Sequence, residues 1–525
     1  MICDIISENI SKGVTNFESI LKMIATLTSE IIHKFEEKIL KNIFNISHLT
    51  RWQIFLLFTL LAVILRFFSF YPSVIDHDES TYLEIARMLL SGHVLYIDMV
   101  DIKPPGIFII LAGFQAIFGH SIFVMRLLVA IWIGITSFLV YKTGKLLLKD
   151  ERASFAAGII YILFISTWSY YGISITPEIF FNLFTIAAFY VLLRKQSPAC
   201  YFLAGLLAGL GFLVKYLVIA DFAVIMLFMI ILSIYSERKN NVFWIIFSIF
   251  LFGAGFFLPF ILLNLTYYLT GNFDEFYNII YLAPGRYALE FKPWIMLKYM
   301  LSFQLLFIPF FFFFYYVLIT KQKMGKAYTL IKQFLILWSL MTLVAVIIAG
   351  KPFGHYTIQL MLPISLIAGL FFHSDRQLPA PLNRIFSWRF GRYILLVLVI
   401  VLMMIKIEYF FRRDIPREIA TYLQPRLTEN DVVYAGNYHH ILYYLLKKDS
   451  PTKYVHRSLL LSNDHIKALD IKVDEEFKKI ISQQPVYIVI DNKFPNGMIQ
   501  DFLNNHYTIE KDFGKNILLF RRMPD

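Results

Sequence analysis

WQIFLLFTLLAVILRFFSF, residues 52–70, decides the fold class. A helix needs roughly 20 predominantly apolar residues to cross a hydrocarbon core, and this stretch is long enough. Residues 242–263 and 393–411 repeat the pattern. The 525-residue chain is 58% hydrophobic and 16% charged, with a mean hydropathy of +0.62. Soluble domains carry about 25% charge. The expected fold is therefore an all-α polytopic membrane protein. The net charge of +12 does not point to nucleic acid, because the basic residues sit in short loops between apolar runs, as in cytoplasmic loops of membrane proteins. Cys3 and Cys200 imply no disulfide framework.

Working outward, the 50 residues before this stretch lack the apolar core and small-residue cleavage site of a signal peptide. Phe17, Ile20, Leu21, Ile24, Leu27, Ile31, Ile32 and Phe35 recur at helical spacing. That predicts an amphipathic helix on the cytoplasmic surface, with a plain packing helix as the alternative. After the first span comes a polar loop, 72–105. The next apolar run, 107–119, would be only about 20 Å long as a helix against a core of about 30 Å. It is expected to be interfacial or re-entrant.

That choice fixes the orientation. With a cytoplasmic N-terminus, Lys142, Lys145, Lys149 and Arg152 fall inside, as do Arg194 and Lys195, Arg238 and Lys239, Lys321 to Lys332, and Arg376 to Arg392. If 107–119 spanned, the later basic loops would face the other way. Window length gives about eleven spans. Beyond residue 411 the chain turns polar. Residues 432–435, 486–490 and 517–520 are predicted strands of a small extracytoplasmic α/β domain. The expected division is thus a cytoplasmic segment 1–50, a membrane domain 51–411 and an outer domain 412–525.

The polar residues that interrupt the apolar pattern collect on the outer side. They are Asp76-His77-Asp78-Glu79 with Tyr82 a turn later, Lys103-Pro104-Pro105, Arg126, Glu178 after Thr176-Pro177, Lys215, and Lys351 ahead of His355-Tyr356. A carboxylate can take a proton from an attacking hydroxyl, and lysine or arginine can neutralise a departing phosphate. One acidic motif with separated cations supplies both halves of transfer from a lipid phosphate. Plainer explanations exist for each. Asp78 suits a helix cap, and Thr81-x-x-Glu84 suits a capping box. Lys215 and Arg126 suit snorkelling to headgroups. Pro104-Pro105 suits a helix start, and His355-Tyr356 an interfacial belt. His439 and His440 are expected at the surface, with Asp491 ending a strand.

In order and spacing, Asp78-Glu79-x-x-Tyr82-x-x-Ile85-Ala86, Lys103-Pro104-Pro105, Phe118-Gly119, Arg126, Thr176-Pro177-Glu178, Gly209-x-Gly211-x-x-x-Lys215, Lys351, His355-Tyr356 and Pro363 resemble the protein O-mannosyltransferase and aminoarabinose transferase superfamily. These are GT-C-fold, polyprenyl-phosphate-sugar-dependent glycosyltransferases, and the resemblance covers about residues 50–411. It implies Asp78 as base, with Glu79 and Glu178 as further acidic positions of the site. It implies Lys103, Arg126, Lys215, Lys351 and Tyr356 near the donor phosphate, and Tyr82, Arg286 and His355 as substrate contacts. The expected reaction moves a sugar, with inversion, from a polyprenyl-phosphate donor to a hydroxyl of a lipid, glycan or protein. The expected setting is a bacterial inner membrane, with the bilayer as the remaining partner.

Two departures stand out. Where the aminoarabinose transferases have a metal-binding acid before Lys-Pro, this chain has Ile102, with Asp101 one residue earlier. The later outer loop, 266–294, lacks their histidine and carries Arg286. No cofactor is assigned. A divalent metal stays an open alternative whose site His77 and His355 would have to rebuild. The rival classes are a transporter or lipid flippase, which calls for internal repetition and mid-bilayer polar residues, and a sugar-chain ligase or polymerase.

Overall fold

A computed structural model describes residues 49–168, 171–235, 242–287, 293–320, 325–386, 388–492 and 494–524. The expected amphipathic N-terminal helix and Cys3 lie outside these residues. Among them, seven helices are long and apolar enough to cross a membrane, at Arg51–Phe70, Ile122–Leu147, Pro177–Arg194, Tyr216–Ile234, Val242–Leu269, Ala327–Ile348 and Tyr393–Arg426. Pro293–Leu306 and Ile308–Ile319 form a further pair, bent by 97°. Pro198–Val214 and Met361–Phe372 are shorter apolar helices. The chain is an integral membrane protein, and the lipid-facing side chains of these helices leave Leu56, Phe250, Phe257 and Val397 well exposed.

The loops that join the spans at one end carry the site. Arg51–Arg66 starts at Thr50, which forms a capping box with Gln53, and runs through a short turn, Phe67–Phe70, into the polar loop. That loop folds into the helix His77–Leu90. The next helix, Gly106–Phe118, has 13 residues with Pro105 at its N-cap. At about 1.5 Å per residue it is too short to span. It packs so closely that a Cβ on Gly106 would lie 2.7 Å from the Leu213 carbonyl oxygen. This contact draws the Lys103-Pro104-Pro105 segment toward the end of Pro198–Val214, where Lys215 is the C-cap.

Pro198–Val214 is itself pressed against Val242–Leu269. Cβ atoms on Gly205 and Gly209 would collide with the carbonyls of Phe252 and Phe256. Small residues four apart let two membrane helices approach at backbone distance where no hydrophobic effect drives them together. Several charges are buried within or at the ends of the apolar helices. Arg66 donates to the carbonyls of Gly172 and Ile173. Lys406 donates to Leu65 O at 2.6 Å and to Ser166 O. Lys406 therefore satisfies carbonyls near helix C-termini, where the dipole favours positive charge, while Arg66 bonds carbonyls of the turn ahead of Pro177–Arg194. Asp221 accepts from Trp338 Nε1 at 2.5 Å and Thr342 Oγ1 at 3.4 Å, and also from Gln359.

Beyond residue 414 the chain forms a four-stranded sheet, β1 (Val433–Ala435), β2 (Tyr487–Asp491), β3 (Tyr507–Asp512) and β4 (Ile517–Arg522), in the order β1-β2-β4-β3. β1 and β2 are parallel, with Val433 opposite Tyr487. The other pairs are antiparallel. The helix Val473–Ser482 lies in the crossover from β1 to β2. β3 was not foreseen from the sequence. It is an edge strand with a bulge at Ile509/Lys511 and mostly exposed residues, so its YTIEKD sequence lacks the apolar signal of the other three. The sheet's core is continuous with that of the membrane helices.

Candidate active site

The helix His77–Leu90 places the acidic motif. Its N-cap is Asp76, whose Oδ1 accepts from the Asp78 backbone N–H at 3.1 Å. Asp78 is therefore not the cap. Thr81 lies inside the helix, so Thr81-x-x-Glu84 is no capping box; Glu84 pairs with Arg87 at 2.7 Å. Neighbouring residues on a helix point about 100° apart, and the two acids separate accordingly. Glu79 turns inward and is buried, while the Asp78 side chain stays 28% exposed.

Glu79 meets Arg126 in a fully buried ion pair, Nε to Oε1 2.6 Å. Arg126 also donates to Ser69 O at 2.8 Å and Pro72 O at 2.5 Å. The Ile175 backbone N–H donates to Glu79 Oε2 at 3.2 Å. Arg126 is thus committed to clamping the first outer loop to the second long span. The expectation that it faces the donor phosphate, and that Glu79 faces the reacting groups, does not match this burial.

Asp78 is the centre of an open cluster. Tyr82, a turn later on the same face, donates its hydroxyl to Oδ2 at 3.2 Å. Lys103 Nζ stands 3.7 Å from Oδ2 and 3.5 Å from Asp101 Oδ1, 5.1 Å above the Tyr82 ring. The Asp101 carboxylate also accepts the Lys103 backbone N–H at 2.9 Å. Behind Lys103, Lys215 pairs with buried Glu178 and sits 3.8 Å over the Tyr356 ring. His355 stacks on Phe353 at 5.6 Å and abuts Tyr356 at 4.8 Å. Lys351 stands at the rim, 3.1 Å from Asp464 and 4.7 Å over the Tyr287 ring. Arg286 is exposed, bonded to Asn278 at 2.9 Å, and is not among the close neighbours of Asp78.

The C-terminal domain closes this cluster from the other side. His456 Nε2 lies 3.4 Å from Asp78 Oδ1. His440 Nε2 lies 3.1 Å from Thr81 Oγ1 and 2.9 Å from His77 O. The Val100 N–H donates to Lys453 O at 2.8 Å, and Arg87 pairs with Asp449 at 2.6 Å. The surface position expected for His439 and His440 is corrected. His440 is fully buried at the contact between domains, and His439 is nearly so, 2.8 Å from Asp491 at the end of β2.

Charge sets the protonation states. Burial would raise the Asp78 carboxyl, but the charges of Lys103 and then Lys215 outweigh it and hold the group well below the usual carboxylate range. Burial works against the charge on Lys103, yet Asp101 and Asp78 keep it protonated above its ordinary value. Asp76 is pushed up to about 7 by burial and the charge of Asp78. Burial lowers His355 and His77 to about 4, so both are neutral imidazoles at neutral pH. The cluster is an ionised carboxylate facing two lysines, with neutral imidazoles around it. Such a set can accept a proton at one point while neutralising an anion at another.

The residues do not fit a metal. Among the described residues no three His, Cys, Asp or Glu side chains converge, Asp101 is turned to Lys103, and His77 stacks on Tyr438 at 4.4 Å. Beside Lys215 lies an apolar groove of about 740 Å³, lined by Phe212, Ile219, Phe256, Phe260, Tyr268 and Tyr281 among others.

Residues 102–263 match the family model described as dolichyl-phosphate-mannose-protein mannosyltransferase. Undecaprenyl phosphate-alpha-4-amino-4-deoxy-L-arabinose arabinosyl transferase of Pseudomonas aeruginosa (strain UCBPP-PA14) is 30% identical over 151 residues, 26% of this chain and 27% of that protein. A second transferase of that description, from Pseudomonas fluorescens (strain Pf0-1), is 29% identical over 150 residues, 26% of this chain and 27% of the relative. The chain thus aligns with about a quarter of the length of these curated relatives. The crystal structure of ArnT from Cupriavidus metallidurans bound to undecaprenyl phosphate superimposes with a TM-score of 0.58 at 14% identity, over 90% of this chain and 99% of that one. The fold is the GT-C fold of the aminoarabinose transferases.

Proposed function

We propose that this chain is an inverting glycosyltransferase that moves a sugar from a polyprenyl-phosphate donor to a hydroxyl of a lipid, glycan or protein acceptor. The observation that carries the reading is the ionised carboxylate of Asp78, free of capping duty, 3.7 Å from Lys103 and within the electrostatic reach of Lys215. As the acceptor oxygen bonds to the anomeric carbon, Asp78 takes the hydroxyl proton. The bond from that carbon to the phosphate oxygen breaks on the opposite face, and polyprenyl phosphate leaves with the bonding electrons. Lys103 and Lys215 face the charge that builds on the phosphate, and a charge-assisted contact of this kind is strong in a partly desolvated site. Tyr356 and Glu178 hold Lys215 in place. The groove beside Lys215 suits the first isoprene units of the donor, since it is apolar and open.

The basic loops support a cytoplasmic N-terminus and a site on the extracytoplasmic side, as in a bacterial inner membrane. Impermeant thiol labelling tests this: a cysteine at Asn272 is labelled from outside and one at Lys195 is not, and the reverse pattern would sink the orientation. For the chemistry, the purified protein is incubated with a panel of polyprenyl-phosphate sugars. Release of polyprenyl phosphate with at least one donor is expected. Failure to bind or cleave any of them, in well-folded protein, removes the proposal.

A further inference from the structure

The C-terminal domain contributes one side chain to the heart of the cluster. His456 presents Nε2 to Asp78 Oδ1 at 3.4 Å, while Tyr82 and Lys103 take Oδ2. The other ring nitrogen settles the proton. His456 is the N-cap of the short helix Arg457–Leu461, and its Nδ1 accepts the Ser458 backbone N–H at 3.2 Å. A backbone N–H can only donate, so Nδ1 carries a lone pair, and the neutral ring has its hydrogen on Nε2, the nitrogen that lies 3.4 Å from the carboxylate. The Ser458 hydroxyl lies 2.7 Å from the same Nδ1. The ring is 13% exposed and packed edge-on against His440, with 5.3 Å between centroids. The segment that carries it is tied to the membrane part by Val100 to Lys453 and Lys351 to Asp464.

We propose that His456 is a positioning residue for Asp78: its Nε2–H holds Oδ1 so that the carboxylate stays ionised and aimed at the acceptor hydroxyl. The C-terminal domain is then part of the reacting site. Oδ1, with His456 as its one neighbour among these, keeps a further lone pair for the incoming proton. The inference rests on Asp78 being the base. The other titratable and charged groups facing Asp78 are Lys103, His355, Tyr356 and Lys215 from the membrane part, His440 from the C-terminal domain, and Asp76, His77 and Tyr82 on its own loop and helix.

Two substitutions in the full-length protein separate positioning from capping. His456→Asn keeps the cap, because an asparagine oxygen accepts the same N–H, but is too short to reach Asp78. His456→Gln extends far enough to return an N–H donor to the carboxylate. His456→Asn is expected to lower kcat about 10–100-fold, the worth of a hydrogen bond to a charged group. Donor KM should not change, and the acid limb of the rate profile should move to higher pH. His456→Gln should recover most of the rate. Wild-type kcat and an unmoved acid limb in His456→Asn overturn the inference and leave His456 a cap. If His456→Asn also loses thermal stability, a stable His456→Gln decides, since a rate no better than that of Asn refutes positioning. Asp78→Asn is run alongside. Normal turnover there ends the reading of Asp78 as base, whereas an inactive Asp78→Asn with a normal His456→Asn ends only this inference.

Discussion

Replacing Arg126 with Met distinguishes a structural arginine from one that binds the donor. Arg126 and Glu79 are each at most 1% exposed and meet at 2.6 Å. Removing the guanidinium leaves Glu79 with the Ile175 N–H, and strips Ser69 O and Pro72 O of their donor. Breaking a buried pair by deleting one partner costs about 3–5 kcal/mol, because an uncompensated charge stays behind. A kcal/mol is worth about 2–4 °C in domains of 150–250 residues and less in a longer chain. A fall on the order of 5 °C is therefore expected in detergent-solubilised protein scanned at one rate, the fixed rate being needed where unfolding is irreversible. Removing both charges should be milder. Glu79→Leu with Arg126→Met fills the space with apolar groups, and the double variant should regain much of the loss. Binding of polyprenyl phosphate, measured on the fraction that remains folded, should be unchanged in both. A stable Arg126→Met with weakened donor binding would refute the burial argument and return Arg126 to the phosphate site.

The remaining expectations concern the open cluster. Asp78→Asn should cut turnover by about 10²–10⁴-fold while leaving thermal stability near wild type, since Asp76 provides the cap and an amide oxygen still accepts from Tyr82; near-normal transfer would mean the wrong carboxylate has been chosen. Lys103→Met and Lys215→Met should each weaken donor affinity by about 10-fold or more. Titration of polyprenyl phosphate against both variants checks this, and unchanged affinity in both removes them from the phosphate site. His440 is buried neutral and its pKa is pushed well below the ordinary value, first by desolvation and then by His456. A lowered folded pKa means the unfolded chain binds the proton first. The stability His440 contributes is thus present above pH about 6.5 and lost as pH falls below it. The melting temperature should drop on acidification from pH 7 to 5, and less so in His440→Gln; an identical drop in that variant would assign the effect elsewhere.

The membrane architecture was legible because apolar run length and basic loops are strong local signals. The short helix Gly106–Phe118 was legible for the same reason, since its length alone excluded a span. The divergence of Asp78 and Glu79 followed from helix geometry, and so did the Asp78–Tyr82 contact. What each acid meets did not follow. Nothing local to Arg126 says that its partner is Glu79, 47 positions away in the chain, and the arginine looked like a headgroup anchor. Asp76 was passed over as the cap because three acids in four residues offer no local way to choose among them. His456 and His440 carried no signal at all. Their meaning arises only where the C-terminal domain meets the first loop. The buried Lys406 and Arg66 were hidden inside apolar runs, where a lone cation reads as tolerated rather than bonded to carbonyls.

The seating of His440 against Thr81 joins positions 359 residues apart. At roughly 5–20 residues per second of synthesis, the first loop waits about 20–70 s before its counterpart emerges from the ribosome. During that interval the spans that line the groove are inserted and can meet lipid. The carboxylate that would activate an acceptor still lacks its closing wall. A chain caught midway through translation could hold a polyprenyl lipid without being able to use it. On the proposed reading, the site is complete only once the C-terminal fold docks, so the order of synthesis puts the closing wall after the first loop and the groove.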